Sequence, residues 1–294
     1  MTGYILLIIN MIKIDELTLI CVDTINHPLA LNALNKTLLQ IKPARCYFFT
    51  DLTEFENKNN QIELVCIEPL SSIDDYNQFI LKKLNYYVQT SHVLVIQYDG
   101  FVVNGESWSN NFLEFDYIGA VWPFRDDDEC VGNGGFSLRS KKLLEALQDK
   151  EVLTNYPEDD VICLHYRQLL KSKYEIKIAP KDVANYFSVE KDRTYPKPFG
   201  FHGMFNFHLF LNDSEILKFI NIGIPSVFKK LEFMELIHNL FLQERKEIAR
   251  ICLNKAFVNE DFPEVLINLI NWHVDKNDTC PCGSGKILES CHKL

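Results

Sequence analysis

The fold is decided by residues 92–139, which read HVLVIQYDGFVVNGESWSNNFLEFDYIGAVWPFRDDDECVGNGGFSLR. The first five residues form an apolar run that is typical of a buried strand, and the run stops at Gln97-Tyr98-Asp99-Gly100. Asp99 is therefore predicted at the carboxyl end of a strand, the edge at which open α/β sheets bind ligands. The glycine-rich residues 132–135 lead into a further strand and would let a ligand lie against bare backbone.

Upstream of this stretch, apolar runs of strand type alternate with stretches of helical spacing. Strands are predicted at residues 17–22, 45–49 and 61–67, and helices at residues 28–41 and 72–87. Alternation of this kind predicts a mostly parallel sheet with helices on both faces. The first two strands end in Asp23-Thr24 and Thr50-Asp51, so Asp23, Thr24 and Asp51 are weaker candidates for nucleoside binding.

Downstream, the predicted elements continue and then change character. Strands are expected at residues 116–120, 175–178 and 183–187, and helices at residues 140–147 and 157–170. Beyond residue 213 four segments have helical spacing and none has a strand pattern. We expect an N-terminal extension at residues 1–14, an α/β domain at 15–210, a helical region at 211–275 and a small metal-binding motif at 276–294.

The composition is that of an ordinary globular protein, with 47% apolar and 24% charged residues among 294. The formal net charge of −10 argues against general binding to nucleic acid or anionic membranes, because such binding needs a basic surface. Residues 4–12 are apolar but fall short of the roughly 20 residues of a membrane span. Five of the nine cysteines lie in apolar runs, where a free thiol packs as a small hydrophobe, so we expect a reducing, cytoplasmic location.

Five blocks follow one another in the chain: Q-x-D-G, D-Y-I-G-A-x-W-P, G-N-G-G-F-S-L-R-S, P-E-D-D and F-G-F-H-G. Their order resembles that of a glycosyltransferase-like family of GT-A fold. The glycine block followed by Glu158-Asp159-Asp160 also resembles, more distantly, inverting β-1,4-galactosyltransferases. The resemblance implies a GT-A-like sheet and transfer of a sugar from a nucleoside diphosphate donor to a hydroxyl acceptor, on a glycan or another molecule.

The same resemblance implies a cation site formed by Asp99 and His202. GT-A enzymes commonly hold Mn²⁺ or Mg²⁺ with an acidic motif on the central strand and a later histidine, and the cation stabilises the departing diphosphate as a Lewis acid. Here Gln97 replaces the first aspartate of the usual motif, and its amide offers only a neutral oxygen. Judged alone, a strand-end aspartate can equally form a turn, and a single histidine can be an ordinary core or surface residue.

Resemblance to the E-D-D pattern implies that Asp159 is the base that takes the proton of the acceptor hydroxyl and that Glu158 positions the acceptor. The alternative is plain helix capping, since acidic residues are favourable in the first turn of any helix.

The donor is expected to contact the backbone at Gly134 and Gly135. Arg139 could neutralise diphosphate charge, and the indole of Trp122 could stack on a sugar ring. The alternatives are a solvated arginine and an ordinary core tryptophan.

The C-terminal stretch CPCGSGK begins at Cys280 and is followed by Cys291-His292. Cys280, Cys282, Cys291 and His292 are four soft ligands that suit a tetrahedral structural Zn²⁺, and a disulfide is the alternative. The spacing C-x-C-x8-C-H closely resembles the SEC-C motif, which is appended to many unrelated bacterial proteins. That resemblance implies contact with a protein partner.

The function expected from the sequence is therefore glycosyl transfer, assisted by a metal ion and inverting. The alternative is a catalytically inactive GT-A-like binding protein that uses the zinc tail as an adaptor, and Gln97 favours this alternative.

Overall fold

Strand β1 (Ile12–Val22) lies inside a six-stranded sheet and pairs on both sides. A computed structural model gives the structure of residues 11–54, 59–125, 127–191, 196–257 and 264–291. Within them the further strands are β2 (Ile41–Thr50), β3 (Glu63–Cys66), β4 (His92–Ile96), β5 (Phe101–Val102), β6 (Tyr117–Ile118), β7 (Phe136–Ser140), β8 (Ser188–Val189) and β9 (Gly200–Phe201). The order in the large sheet is β3-β2-β1-β4-β7-β6.

The large sheet is mainly parallel, which confirms the predicted fold class. Strand β1 pairs in parallel with β2 and β4, and β2 pairs in parallel with β3. Strand β7 runs antiparallel to both β4 and β6. Because of this reversal, the amino end of β7 lies at the same edge as the carboxyl ends of β1 and β4. This edge therefore carries Asp99 beside the glycines that precede β7.

Helices flank the sheet, and every residue of β4 is buried, as expected for a strand covered on both faces. The helices of this part of the chain are α1 (His27–Leu38), α2 (Ile73–Gln78), α3 (Lys141–Ala146), α4 (Glu158–Asp160), α5 (Arg167–Tyr174) and α6 (Lys181–Phe187). Helix α2 begins with a capping box between Ser72 and Asp75 and continues into a π-helical turn, Phe79–Lys83. A second π-helical turn, Val161–His165, follows α4.

A second, three-stranded sheet with the order β5-β9-β8 positions His202. Strand β9 pairs antiparallel with β5, which follows β4, and His202 comes directly after β9. A Cβ atom at Gly100 would lie 2.9 Å from the His202 ring, so only a glycine fits between β4 and β5 at this point.

The described residues divide into two compact units, one ending at His202 and the other beginning at Gly203. The second unit is helical, as predicted, and apolar residues such as Phe233 and Leu236 fill its interior. Its helices are α7 (Phe207–Phe210), α8 (Asp213–Ile222), α9 (Leu231–Leu242), α10 (Lys246–Phe257), α11 (Glu264–His273) and α12 (Leu288–Cys291). None of the helices in the described part of the chain has the length and apolar character needed to cross a membrane.

Two predicted strands are wrong. Residues 175–178 form only a single bridge, between Ile178 and Tyr117. Residues 183–187 belong to α6, which buries Ala184 and Phe187 on one face at helical spacing. Strand β1 begins at Ile12, inside the expected extension of residues 1–14, whereas residues 1–10 lie outside the described residues. The predicted domain boundaries after residues 14, 210 and 275 stay predictions.

Candidate functional site

A cleft of about 390 Å³ opens at the carboxyl ends of β1 and β4. It is lined by residues 22–26, residues 70–73, Tyr76, Gln97 and Tyr98. Asp23 Oδ1 accepts the backbone N–H groups of Ile25 and Asn26 at 2.8 and 2.6 Å, and Thr24 Oγ1 accepts the backbone N–H of Leu70 at 3.0 Å. Two of the three candidate nucleoside ligands thus line the cleft and also hold its loops together.

Asp51, the third candidate, makes a different contact. Its Oδ1 lies 2.6 Å from Nε2 of His27, at the start of α1, and this hydrogen bond lowers the pKa of Asp51. Asp51 is not among the residues that line the cleft.

Asp99, His202 and Gln97 meet beside the cleft. His202 Nε2 lies 3.7 Å from Asp99 Oδ1 and 3.2 Å from Gln97 Oε1. Asp99 is only 8% exposed, and its Oδ1 has no hydrogen-bond partner in the described part of the chain. Two ligands of one divalent cation, each about 2.1 Å from it, lie about 3 to 4 Å apart, so these residues fit a cation.

Glu190 contacts the other nitrogen of the same ring, with its Oε1 3.3 Å from His202 Nδ1. Carboxylates commonly orient the histidine ligands of metal ions in this way. Burial lowers the pKa of His202, but the hydrogen bond to Glu190 and the nearby charge of Asp99 outweigh burial and raise the pKa above its usual value. Glu190 could not be identified from the sequence, because its contact with His202 depends on the pairing of β8 with β9.

Gly134 and Gly135 separate His202 from the acidic residues of α4. A Cβ atom at Gly135 would lie 2.1 Å from His202 Nε2, and one at Gly134 would lie 1.6 Å from Glu158 Oε1. The backbone N–H of Gly134 donates to Asp159 Oδ2 at 3.3 Å. These glycines therefore let the cation candidates and the proposed base approach the same stretch of backbone.

Arg139 and Glu158 form a buried ion pair, which corrects both of their predicted roles. Arg139 lies within β7 and is fully buried, and its Nη2 is 2.6 Å from Glu158 Oε2. Burial lowers the pKa of Arg139, but the charge of Glu158 outweighs it, so the pKa is raised and the guanidinium stays charged. Arg139 Nη2 also lies 3.4 Å from the carbonyl oxygen of Gly134, and Ser137 Oγ donates to that oxygen at 2.9 Å. The buried pair contacts the glycine turn at Gly134 and is not accessible to a diphosphate or an acceptor.

Helix α2 supplies two contacts that the sequence did not reveal. The side-chain amide of Gln97 donates to Tyr76 Oη at 3.0 Å, and the backbone N–H of Glu158 donates to Asn77 Oδ1 at 3.2 Å. Burial, followed by the charge of Glu158, raises the pKa of Tyr76, so its hydroxyl stays protonated. Tyr76 and Asn77, which are adjacent in α2, thus hold Gln97 on one side of the site and Glu158 on the other.

Trp122 lies in the core, where its alternative interpretation placed it. Its exposure is 5%, and it packs in a cluster with Leu143 and Val161. A Cβ atom at Gly132 would lie 2.0 Å from the indole, and Phe124 stacks on the ring at 5.4 Å. Trp122 is therefore not part of the proposed donor site.

In the second unit, the thiols of Cys280, Cys282 and Cys291 all lie within 4.8 Å of one another. Ligands about 2.3 Å from a tetrahedral Zn²⁺ are about 3.8 Å apart, so the three thiols could hold a metal ion. All three cysteines are free, which disfavours the disulfide. His292, the fourth expected ligand, lies outside the described residues. Gly283 and Gly285 have positive φ angles of 77° and 73°, which the tight turn between the first two thiols and the third requires.

Comparison with known proteins gives two similarities. Residues 59–202, just under half of the chain, match a family described as "Protein of unknown function (DUF5672)". A search of curated proteins finds no match. Among solved structures, the chain is similar to the galactosyltransferase LgtC in complex with donor and acceptor sugar analogs, with 12% identity and a TM-score of 0.40. The similarity covers 63% of this chain and 86% of that one, and nothing about activity follows from it.

Proposed function

We propose that the first unit is a glycosyltransferase that moves a sugar from a nucleoside diphosphate sugar to a hydroxyl acceptor, on a glycan or another molecule. The observation that supports this most is the approach of Asp99, Gln97 and His202 to one another beside the cleft at the carboxyl ends of β1 and β4. A nucleoside would occupy the cleft, between its apolar walls and the polar groups of Asp23 and Thr24. The diphosphate would then extend toward Asp99.

Asp99 and His202 would hold Mn²⁺ or Mg²⁺, which would act as a Lewis acid toward the diphosphate. The backbone of Gly134 and Gly135 would contact the sugar, because glycines at these positions let the backbone lie directly against His202 and within hydrogen-bond distance of Asp159. These residues bind and orient the donor.

Asp159 is the proposed base. Its two oxygens accept the backbone N–H groups of Gly134 at 3.3 Å and Asp160 at 3.1 Å, which fixes the orientation of the carboxylate. A carboxylate has lone pairs to spare for an acceptor hydroxyl, so Asp159 can take the proton as the hydroxyl oxygen attacks the anomeric carbon. Attack from the side opposite the diphosphate inverts the anomeric centre.

The test is a screen of the purified protein with Mn²⁺ against a panel of nucleotide sugars, with thermal shift and released nucleoside diphosphate as readouts. We expect at least one donor to stabilise the protein and to be consumed. Asp99→Ala should remove the effect of Mn²⁺, whereas Asp182→Ala, which truncates an exposed aspartate on α6, should not change it. Identical donor affinity with Mn²⁺ and with a chelator would refute the metal site.

The second candidate is a binding protein with this fold and no turnover. It is favoured by Gln97, which is neutral, and by the burial of Arg139 and Glu158 away from a substrate. A donor that binds with Mn²⁺ but is never consumed, with any hydroxyl acceptor offered, would decide for this candidate.

We also propose that the thiols of Cys280, Cys282 and Cys291, with His292, bind a structural Zn²⁺. Such a small segment has little core of its own, so metal binding would supply its folding free energy. Its expected role is contact with a protein partner.

A further inference from the structure

Gln97 stands where the usual two-carboxylate motif has an aspartate, and the structure gives its side chain a defined place. Its Nε2 donates to Tyr76 Oη at 3.0 Å, while its Oε1 lies 3.2 Å from His202 Nε2. Asp99 Oδ1 lies 3.7 Å from the same nitrogen. The amide oxygen and the carboxylate oxygen are therefore neighbours of one ring nitrogen.

Glu190 determines the hydrogen-bonding role of Nδ1, the other ring nitrogen of His202. A carboxylate only accepts hydrogen bonds, so His202 Nδ1, 3.3 Å from Glu190 Oε1, donates its proton there. When a divalent cation takes the place of a proton at Nε2, that nitrogen and the two neighbouring oxygens each present a lone pair to the cation. Such an arrangement is favourable when a positive charge lies among the three atoms. The burial of Asp99 Oδ1 without a hydrogen-bond partner in the described residues strengthens this argument.

We propose that Gln97 Oε1 is a third protein ligand of the cation at Asp99 and His202, and that Tyr76 is a positioning residue that holds the amide in place. This inference rests on the proposed function. An amide oxygen is an ordinary ligand for a hard divalent cation, so the glutamine does not prevent binding.

The substitution does change the charge of the site. Histidine binds a cation only as a neutral ring, so the three ligands Asp99, Gln97 and His202 offer the cation one negative charge, whereas a motif with two carboxylates would offer two. Fewer charged ligands mean weaker cation binding. The free protein should therefore bind Mn²⁺ weakly and should gain affinity when the diphosphate supplies further anionic oxygens. By linkage, Mn²⁺ must strengthen nucleotide binding by the same factor.

The experiment measures Mn²⁺ binding by the electron paramagnetic resonance signal of the free ion. It is run without nucleotide and with whichever of ADP, CDP, GDP and UDP binds most tightly. For the unmodified protein we expect the nucleotide to raise Mn²⁺ affinity by about tenfold or more, a typical allosteric coupling. Gln97→Glu, which keeps the side-chain length and adds a charge, should tighten Mn²⁺ binding to the nucleotide-free protein. Gln97→Leu and Tyr76→Phe should weaken Mn²⁺ binding in the presence of nucleotide by about 10- to 100-fold.

Tyr87→Phe is the matched control, because Tyr87 follows the same helical stretch but packs on Phe49, away from Gln97. It should bind Mn²⁺ like the unmodified protein, and thermal melting of each variant checks that it folds. Unchanged Mn²⁺ binding in Gln97→Leu would overturn Gln97 as a ligand, and unchanged binding in Tyr76→Phe would overturn the positioning role. If nucleotides bind but Mn²⁺ does not, the cation site is wrong and nucleotide binding stands. If none of the four nucleotides binds, the proposed function itself fails.

Discussion

Asp159 is held in place by the protein before any substrate arrives. Asp159→Asn keeps the shape of the side chain and an oxygen that can accept the Gly134 N–H, but it removes the basicity. We expect it to preserve donor binding and to lower turnover by about 10²-fold or more, the usual scale of general-base catalysis. The measurement is the rate of nucleoside diphosphate release together with calorimetric donor affinity.

The neighbouring Asp160 provides the control for this variant, since Asp160→Asn changes the same helical turn without touching Gly134. Its turnover should stay close to that of the unmodified protein. An Asp159→Asn variant with full turnover, or a product whose NMR spectrum shows the donor's anomeric configuration retained, would leave Asp159 as a helix-capping acid.

The sequence pointed to Asp99 and His202 but could not give their surroundings. The motifs identified both residues, and the apolar run before Asp99 placed it at the end of a strand. That His202 Nε2 lies 3.7 Å from Asp99 depends on the pairing of β5 with β9, two short strands whose partners no periodicity indicates. Glu190 and Tyr76 were missed for the same reason, since each acts through a contact distant in sequence.

The Arg139–Glu158 ion pair links strand β7 to helix α4 next to Gly134. Arg139→Met would leave the buried charge of Glu158 without its partner, and removal of one member of a buried pair costs about 3–5 kcal/mol. The double variant with Glu158→Leu removes both charges and should recover a large part of that loss. Urea denaturation measures the free energy of unfolding of each variant.

The matched control is Lys197→Met, which breaks the exposed pair of Lys197 with Glu106. Water screens that pair, so the change in stability should be much smaller. A single Arg139 variant as stable as the unmodified protein, or a double variant less stable than the single one, would show that the pair does not join β7 to α4 as described.

Most elements were predictable because burial leaves a periodic pattern in the sequence. The apolar runs and helical spacing located β1, α1, β2, β3, α2 and β4, although Ile41 proved to start β2 and not to end α1. The direction of β7 was not predictable, because the alternation of a strand does not encode which neighbour it pairs with. This reversal is what brings Gly134 and Gly135 to the edge that carries Asp99.

At the scale of the whole molecule, the chemistry is divided between two units. Asp99, His202 and Asp159 lie in the unit that ends at His202, whereas the three thiols lie in the unit that begins at Gly203. We expect a truncated protein lacking residues 280–294 to lose its bound zinc and to keep its donor affinity. Elemental analysis measures the zinc, and calorimetry with the best donor measures the affinity.

A serine variant of Cys252 serves as the control for thiol loss, because Cys252 is buried in α10 and is not part of the thiol cluster. It should keep the zinc. A folded truncation that no longer binds the donor would refute the separation of the zinc tail from the donor site.

The position of β1 in the sheet has a consequence for synthesis. Strand β1 is translated shortly before β2, with which it pairs, but its other edge pairs with β4, which starts only at His92. Until that strand has emerged, the nascent chain carries an unpaired edge next to a run of apolar residues from Leu17 to Val22. Open edges of this kind promote pairing with other chains. The interval between translation of β2 and translation of β4 is therefore when we expect the edge of β1 to be open to pairing with other chains.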